Sequence, residues 1–190
     1  MEKRHKQRGF KSDEEMWFAD WCQEAGIKAE YEKTTFELAK EVRVLVTGSK
    51  KPAHLLQDVT YTADFTLYAI TATTNHDVVV VDILRQPIQT MPKKALFVAF
   101  GDKIYVEVKG SNYMSSQRSS DVTFKVKQKW VMSMFGVYVN PIVPDKLFEK
   151  TFYPDSWFWT DNGKERCKKV NGKLVPYSQI YKRFNKWKKE

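Results

Sequence analysis

Tyr105-Val106-Glu107-Val108-Lys109-Gly110 sets a carboxylate and an ammonium two residues apart in an otherwise apolar segment. In an extended strand, residues two apart share a face. Glu107 and Lys109 therefore project together while Ile104, Val106 and Val108 turn to a core. Such a pair either neutralises itself on a solvent face or serves a site. Asp64 has the same character. It is a lone acid in the β-rich run Val59–Tyr68, where Tyr61, Ala63, Phe65 and Leu67 alternate against Thr60, Thr62, Asp64 and Thr66. Two carboxylates and a lysine on neighbouring strands are what metal-assisted phosphodiester hydrolysis requires. Hard carboxylate oxygens suit Mg²⁺, with Mn²⁺ as its substitute; the ion keeps several waters and takes a phosphate oxygen. It polarises the phosphoryl group and activates water. A lysine alongside orients that water and offsets developing charge. Acting as a base would require a lowered pKa, which the neighbouring acids oppose.

The elements that must position these groups are legible in outline. Ser12 followed by Glu15 forms a capping box, and Phe18, Trp21, Cys22 and Ala25 then recur on one helical face, ended by Gly26. Extended segments follow at Lys33–Ala39 and Val42–Thr47, then a loop at Gly48–Pro52. Val78–Leu84 is an apolar run broken by Asp82. Ala95–Phe100 and Lys103–Lys109 flank Gly101-Asp102, a two-residue hairpin turn. Ser111–Ser120 reads as a loop. Asp121 caps a helix over Val122–Phe135, stopped by Gly136. Val137–Val139 is a short strand ended by Pro141 and Pro144. An aromatic stretch follows, then Asn-Gly turns at Asn162 and Asn171, and a basic helix over Tyr177–Lys189. Trp17, Trp21 and Trp130 are expected in the core.

Taken in order, these segments resemble the PD-(D/E)XK nuclease superfamily, in its phage endonuclease I-like and Holliday-junction-resolvase-like branch. Tyr61-Thr62-Ala63-Asp64-Phe65 is similar to the family's "Y-T-P-D-F" strand, and Val106–Gly110 to its "V-E-V-K-G" strand. Ser12 through Phe18 matches its "S-x-x-E-x-x-F" helix, and Phe124–Trp130 sits where it places a helix carrying Lys or Gln. The resemblance covers roughly residues 10–140. It implies an α/β fold with a restriction-endonuclease-like core: a mixed central sheet flanked by helices. It implies that Asp64, Glu107, the Val108 carbonyl and Glu15 hold the metal, with Lys109 positioning water. Ala63 departs from the usual Pro. The 43 residues from Asp64 to Glu107 exceed the compact members' interval, so residues 69–100 are read as an inserted hairpin. Asp82 is the rival to Asp64, which is preferred because its neighbours match on both sides. Each acid also has a plainer reading: Glu107 and Lys109 as a cross-strand pair, Asp64 as a strand-end acid, Glu15 as the capping-box partner.

Charge is segregated. Residues 1–11 carry +4, residues 161–190 carry +7, and the stretch between carries −2, within a net +9 over 190 residues. Basic ends around an acidic middle suit a polyanion, and DNA is the expected partner. The organisation expected is a basic arm at 1–11, a nuclease core at 12–144 and an aromatic, basic extension at 145–190. Lys125, Lys127, Gln128 and Lys129 on one helix, and Lys182, Arg183 and Lys186 near the end, are the candidate DNA contacts; solvated faces are the alternative. No apolar run reaches membrane-spanning length, and the basic tail lacks the apolar face of a membrane-surface helix. The start of the sequence has no apolar secretory core. Two distant cysteines exclude a disulfide scaffold and point to a reducing compartment, so cytoplasmic placement is expected, in the host if phage-encoded. The expected activity is Mg²⁺-dependent endonucleolytic cleavage of duplex or branched DNA. The alternative is a non-catalytic DNA-binding or assembly subunit on the same fold. Branched-DNA enzymes of this kind are often homodimers, but the sequence locates no interface.

Overall fold

The computed structural model describes residues 3–48, 50–68, 78–83, 96–113 and 119–183. Most of the segment joining residues 69–100, and Lys186, lie outside these. The chain begins with a single turn, α1 (Arg4–Gln7), followed by α2 (Asp13–Glu24). The Glu15 N–H donates to Ser12 Oγ at 3.2 Å, closing the expected cap. Asp13, Glu14 and Glu15 fill the first turn, where the helix dipole favours negative charge. Gly26, at φ +72°, takes the left-handed conformation past the helix end.

The expected basic arm is not free over residues 3–11. His5 is buried with Nδ1 2.7 Å from Asp13 Oδ1. Arg8 grips both carboxylate oxygens of Asp20, at 2.8 and 2.6 Å. Phe10 packs edge-on against Tyr31 with centroids 4.9 Å apart. The positive charge here is used to fasten the segment to an acidic helix.

The strands are β1 (Ala29–Tyr31), β2 (Thr35–Ala39), β3 (Val42–Val44), β4 (Ala53–Leu56), β5 (Val59–Thr62), β6 (Phe65–Tyr68), β7 (Val78–Asp82), β8 (Leu96–Phe100) and β9 (Lys103–Val108). After α3 (Ser119–Phe135) come β10 (Val139–Ile142), α4 (Pro144–Lys150), a 3-10 turn (Asp155–Phe158), β11 (Cys167–Val170), β12 (Lys173–Pro176) and α5 (Tyr177–Ile180). The main sheet runs β1-β6-β9-β8-β7, antiparallel throughout, with β10 added parallel to β9. The fold is therefore mixed α/β. Strands β7 and β8 from the expected insertion belong to this sheet rather than standing off it.

The sheet separates two cores. On one face, Phe18 and Trp21 of α2 pack on Phe65, Leu67, Ile104 and Val106, sealed by Phe148, Phe152, Trp157 and Phe158. On the other, Phe36, Leu38, Tyr61 and Ala63 pack on Tyr105 with Phe124 and Val131 of α3. Residues 145–158 thus complete the main core and are not an appended extension. The run Val59–Tyr68 breaks at Ala63-Asp64: Tyr61 and Ala63 serve one core, Phe65 and Leu67 the other. The single alternating strand read from the sequence is corrected to two. Trp21 is fully buried and Trp17 partly so, but Trp130 is 38% exposed, against expectation. The terminal helix ends at Ile180, where Tyr181 turns extended and Arg183 then forms a bridge with Tyr153; residues 184–189 of the expected helix lie outside the described residues. No helix among the described residues is long and apolar enough to cross a membrane.

β10 runs through Pro141, where the sequence reading ended it. The Lys109 N–H donates to the Ile142 carbonyl at 2.7 Å, so Ile142 faces β9 and Pro141, one residue away, turns its missing N–H off the ladder. Asn140 closes the junction where β8 parts from β9. Its amide nitrogen donates to the Val98 and Tyr105 carbonyls at 2.9 and 3.0 Å, and its oxygen accepts from the Val98 N–H at 2.8 Å. Replacing it with Ala strands these buried backbone groups, at a cost of about 2–3 kcal/mol. Urea denaturation of Asn140→Ala checks this; an unchanged midpoint would refute it.

Candidate active site

Pairing of β6 with β9 places Phe65 opposite Val106, and the next step brings Asp64 beside Glu107. The Val108 N–H donates to Asp64 Oδ2 at 2.8 Å. On the other side, the Asp64 carbonyl accepts from the Glu32 N–H at 2.8 Å, and the Ala63 N–H donates to the Thr34 carbonyl at 3.1 Å. Ala63 therefore uses a donor that a proline at this position would lack. These bonds hold the strand break in place.

Glu107 and Lys109 share a face as expected. Lys109 Nζ lies 2.8 Å from Glu107 Oε1 and 3.8 Å from Asp121 Oδ1, over the ring of Phe124 at 4.5 Å. The second Glu107 oxygen accepts from the Tyr61 hydroxyl at 2.6 Å. Burial and the contact with Glu107 push the Tyr61 hydroxyl far above its ordinary pKa, so it stays a donor. Asp121, read as a helix cap, instead buries its carboxylate beside Lys109 in the first turn of α3.

Glu15 accepts from the Lys11 N–H at 3.0 Å and the Tyr31 hydroxyl at 2.6 Å. Its structural role is thus real, and its charge is also among the causes raising Asp64. Burial first, then Glu107, then Glu15 push the Asp64 carboxyl up to about 7, against opposition from the Val108 N–H and Lys109.

A cleft of about 410 Å³ opens onto these groups, lined by Asp64, Glu107, Tyr61, Lys11, Glu32 and Lys127 among others. Lys127 Nζ donates to the Thr60 carbonyl at 2.9 Å, on the rim. Lys11 pairs with Glu32, a residue held at φ +46°, a strained conformation for a non-glycine residue.

The other expected contacts are scattered. Lys125 Nζ lies 5.5 Å from the Tyr113 ring and Lys129 is exposed on α3. Gln128 turns inward, donating to the Val139 carbonyl at 2.6 Å. Lys182 and Arg183 lie by the opposite core, where Arg183 pairs with Asp155 at 3.1 Å and covers Phe158. Lys186, and the side chain of the rival Asp82, are outside the described residues.

The donor set fits a hard divalent ion. Asp64 Oδ1 carries no hydrogen bond among the described residues, and Asp64 gains from a nearby cation because like charge raises it. No three His, Cys, Asp or Glu side chains among the described residues gather into a ligand cluster. Mg²⁺ needs none, since it is commonly held by one or two carboxylates with water and phosphate completing the shell. Val108 presents its N–H to Asp64, on the side of β9 that faces the candidate ligands. Tyr61, Tyr31, Lys11 and Asp121 have no site role in the sequence reading. Tyr61 lies three residues before Asp64, but only the fold shows its hydroxyl on Glu107.

No family model, no curated protein and no solved structure matches this chain.

Proposed function

We propose that this protein is a Mg²⁺-dependent endonuclease that hydrolyses DNA phosphodiester bonds on a restriction-endonuclease-like core. The observation that carries the reading is the convergence of Asp64 with the Glu107–Lys109 pair at the strand break, facing a cleft with cationic side chains at its edge. A bound Mg²⁺ would polarise the scissile phosphoryl group and make a coordinated water more acidic. Asp64 and Glu107 would hold it, and Glu15 would orient water on the α2 side. Lys109 supplies positive charge beside Glu107 and offsets charge that develops on the phosphate. Tyr61 fixes the Glu107 carboxylate in one orientation. Lys127 and Lys11 offer phosphate contacts on the rim.

The test is relaxation and linearisation of supercoiled plasmid. Wild type is expected to cut with Mg²⁺ or Mn²⁺ and to stop with EDTA, and Glu107→Gln is expected to lose at least about a thousandfold in rate. Equal cleavage by Glu107→Gln would remove this site from the chemistry. Both Glu107 oxygens already accept hydrogen bonds. That observation favours the second reading, a DNA-binding subunit on the same fold. Retarded plasmid mobility without any cleavage by wild type would establish it.

A further inference from the structure

Strands β11 and β12 form a hairpin that contributes nothing to either core. All four residues of β11 are exposed, as are Asn171, Gly172, Lys173 and Leu174; only Val175 and Pro176 at the base are half-buried. Isolated two-stranded hairpins are marginally stable in water, so this one needs anchoring and a reason to protrude.

The anchor is Arg166. Its guanidinium sits 5.0, 4.9 and 5.1 Å from the rings of Trp17, Trp157 and Tyr177, and donates to the Trp157 carbonyl at 3.1 Å. Its backbone N–H donates to the Phe158 carbonyl and its carbonyl accepts from the Tyr177 N–H, both at 2.8 Å. The tip is equally defined. Asn171 and Gly172 lie at φ +48° and +81°, the left-handed pair of a tight hairpin turn. The ribbon is therefore held at both ends without resting on the body of the protein.

Its composition is one-sided. Residues 166–176 contain Arg166, Lys168, Lys169 and Lys173 and no acid. The register pairs Lys168 with Val175 and Val170 with Lys173, putting two lysines and two valines on one face. Lys169 pairs with Leu174 on the other face, where Leu174 is 74% exposed. Cations alternating with exposed aliphatic tips, on an element two strands wide, match a DNA groove. The phosphates flank the groove on both sides, the floor offers thymine methyl groups, and its width admits a two-stranded ribbon.

We infer that the β11–β12 hairpin is a duplex-binding ribbon whose Lys168–Val170–Lys173 face enters the groove, with Val170 directed at the floor, Lys168 and Lys173 on the flanking phosphates, and Lys169 on the outer face adding a further phosphate contact. This extends the nucleic-acid part of the proposed function and does not depend on the metal site. The experiment is fluorescence anisotropy of a labelled 20-base-pair duplex in EDTA across a salt series, with the matching single strand as comparator. The triple variant Lys168→Ala/Lys169→Ala/Lys173→Ala is expected to lose at least about tenfold in duplex affinity and to show a log–log salt slope shallower by about 2–3. Unchanged affinity and slope, or equal losses for duplex and single strand, would overturn the groove assignment. Cys167 gives a second readout on unmutated chain. It is exposed while Cys22 is buried, so a thiol-reactive fluorophore labels the hairpin selectively. Its emission should shift on adding duplex; no shift at saturating duplex refutes the inference. Loss of Mg²⁺-dependent cleavage activity would count against the nuclease reading alone, because both measurements are made without metal.

Discussion

Asp64→Asn is expected to make the protein more stable and catalytically inert at once. Folding places this carboxyl among other acids and away from water, raising it from 3.8 to about 7. The folded state therefore holds a proton that the unfolded chain releases between about pH 4 and 7, and stability falls as pH rises through that window. Above pH 7 the ionised carboxylate costs on the order of 4 kcal/mol relative to its unfolded state. Asn keeps an oxygen to accept from the Val108 N–H and removes the charge. Its Tm at pH 8 should exceed that of wild type by about 8–16 °C, and the gain should vanish near pH 4. Mg²⁺ should raise the wild-type Tm at pH 8 and leave that of the variant unmoved. Differential scanning calorimetry at both pH values, with and without Mg²⁺, checks every part. A variant less stable than wild type at pH 8 would show that the clustered charge is not strained. Cleavage by wild type should climb through about pH 7 as Asp64 ionises.

The strands of the candidate site were legible because their pattern is local. The Glu107–Lys109 alternation needs only the two-residue period of a strand, and the capping box at Ser12 and Glu15 needs only four residues. The hairpin turn at Gly101-Asp102 is likewise local, and the structure pairs Phe100 with Lys103 across it. What failed was what depends on distant partners. Nothing near Asp121 announces that Lys109 will lie against it, since the contact is made only when α3 folds over β9. The turn of the chain at Ala63-Asp64 is invisible in a run whose alternation is unbroken, because it exists to serve two cores at once. A count of charge at the basic ends leaves out one thing for a related reason. Arg8, Arg166 and Arg183 look like surplus charge in the sequence but are committed to Asp20, to an aromatic box and to Asp155. The lysines of β11 and β12 escaped notice because a count by segment does not show which cations stand clear of the fold.

Lys109→Met should produce the largest combined loss. The side chain is 11% exposed, and its ammonium is the cation between Glu107 and Asp121, at 2.8 and 3.8 Å, with Phe124 beneath it. Methionine matches the stem in length and fills the space over the ring, so packing is conserved and the charge is what is removed. Leaving buried carboxylates without their cation costs about 3–5 kcal/mol. The deficit should be greatest at neutral and alkaline pH, where Asp64 adds its negative charge, and shrink in acid as Asp64 takes up its proton. Lys109 also lowers Asp64, so without it the Asp64 carboxyl moves further up. Residual cleavage should then need a more alkaline pH than wild type, in addition to a fall of about a hundredfold or more in rate from the lost charge at the phosphate. Mg²⁺ should restore part of the stability by supplying the missing positive charge, whereas K⁺ at equal ionic strength should not. Chemical denaturation at pH 5 and pH 8 with each salt separates these effects. A pH-independent deficit that Mg²⁺ does not reduce would mean that Lys109 acts by packing, and that the carboxylates around it do not share one electrostatic site.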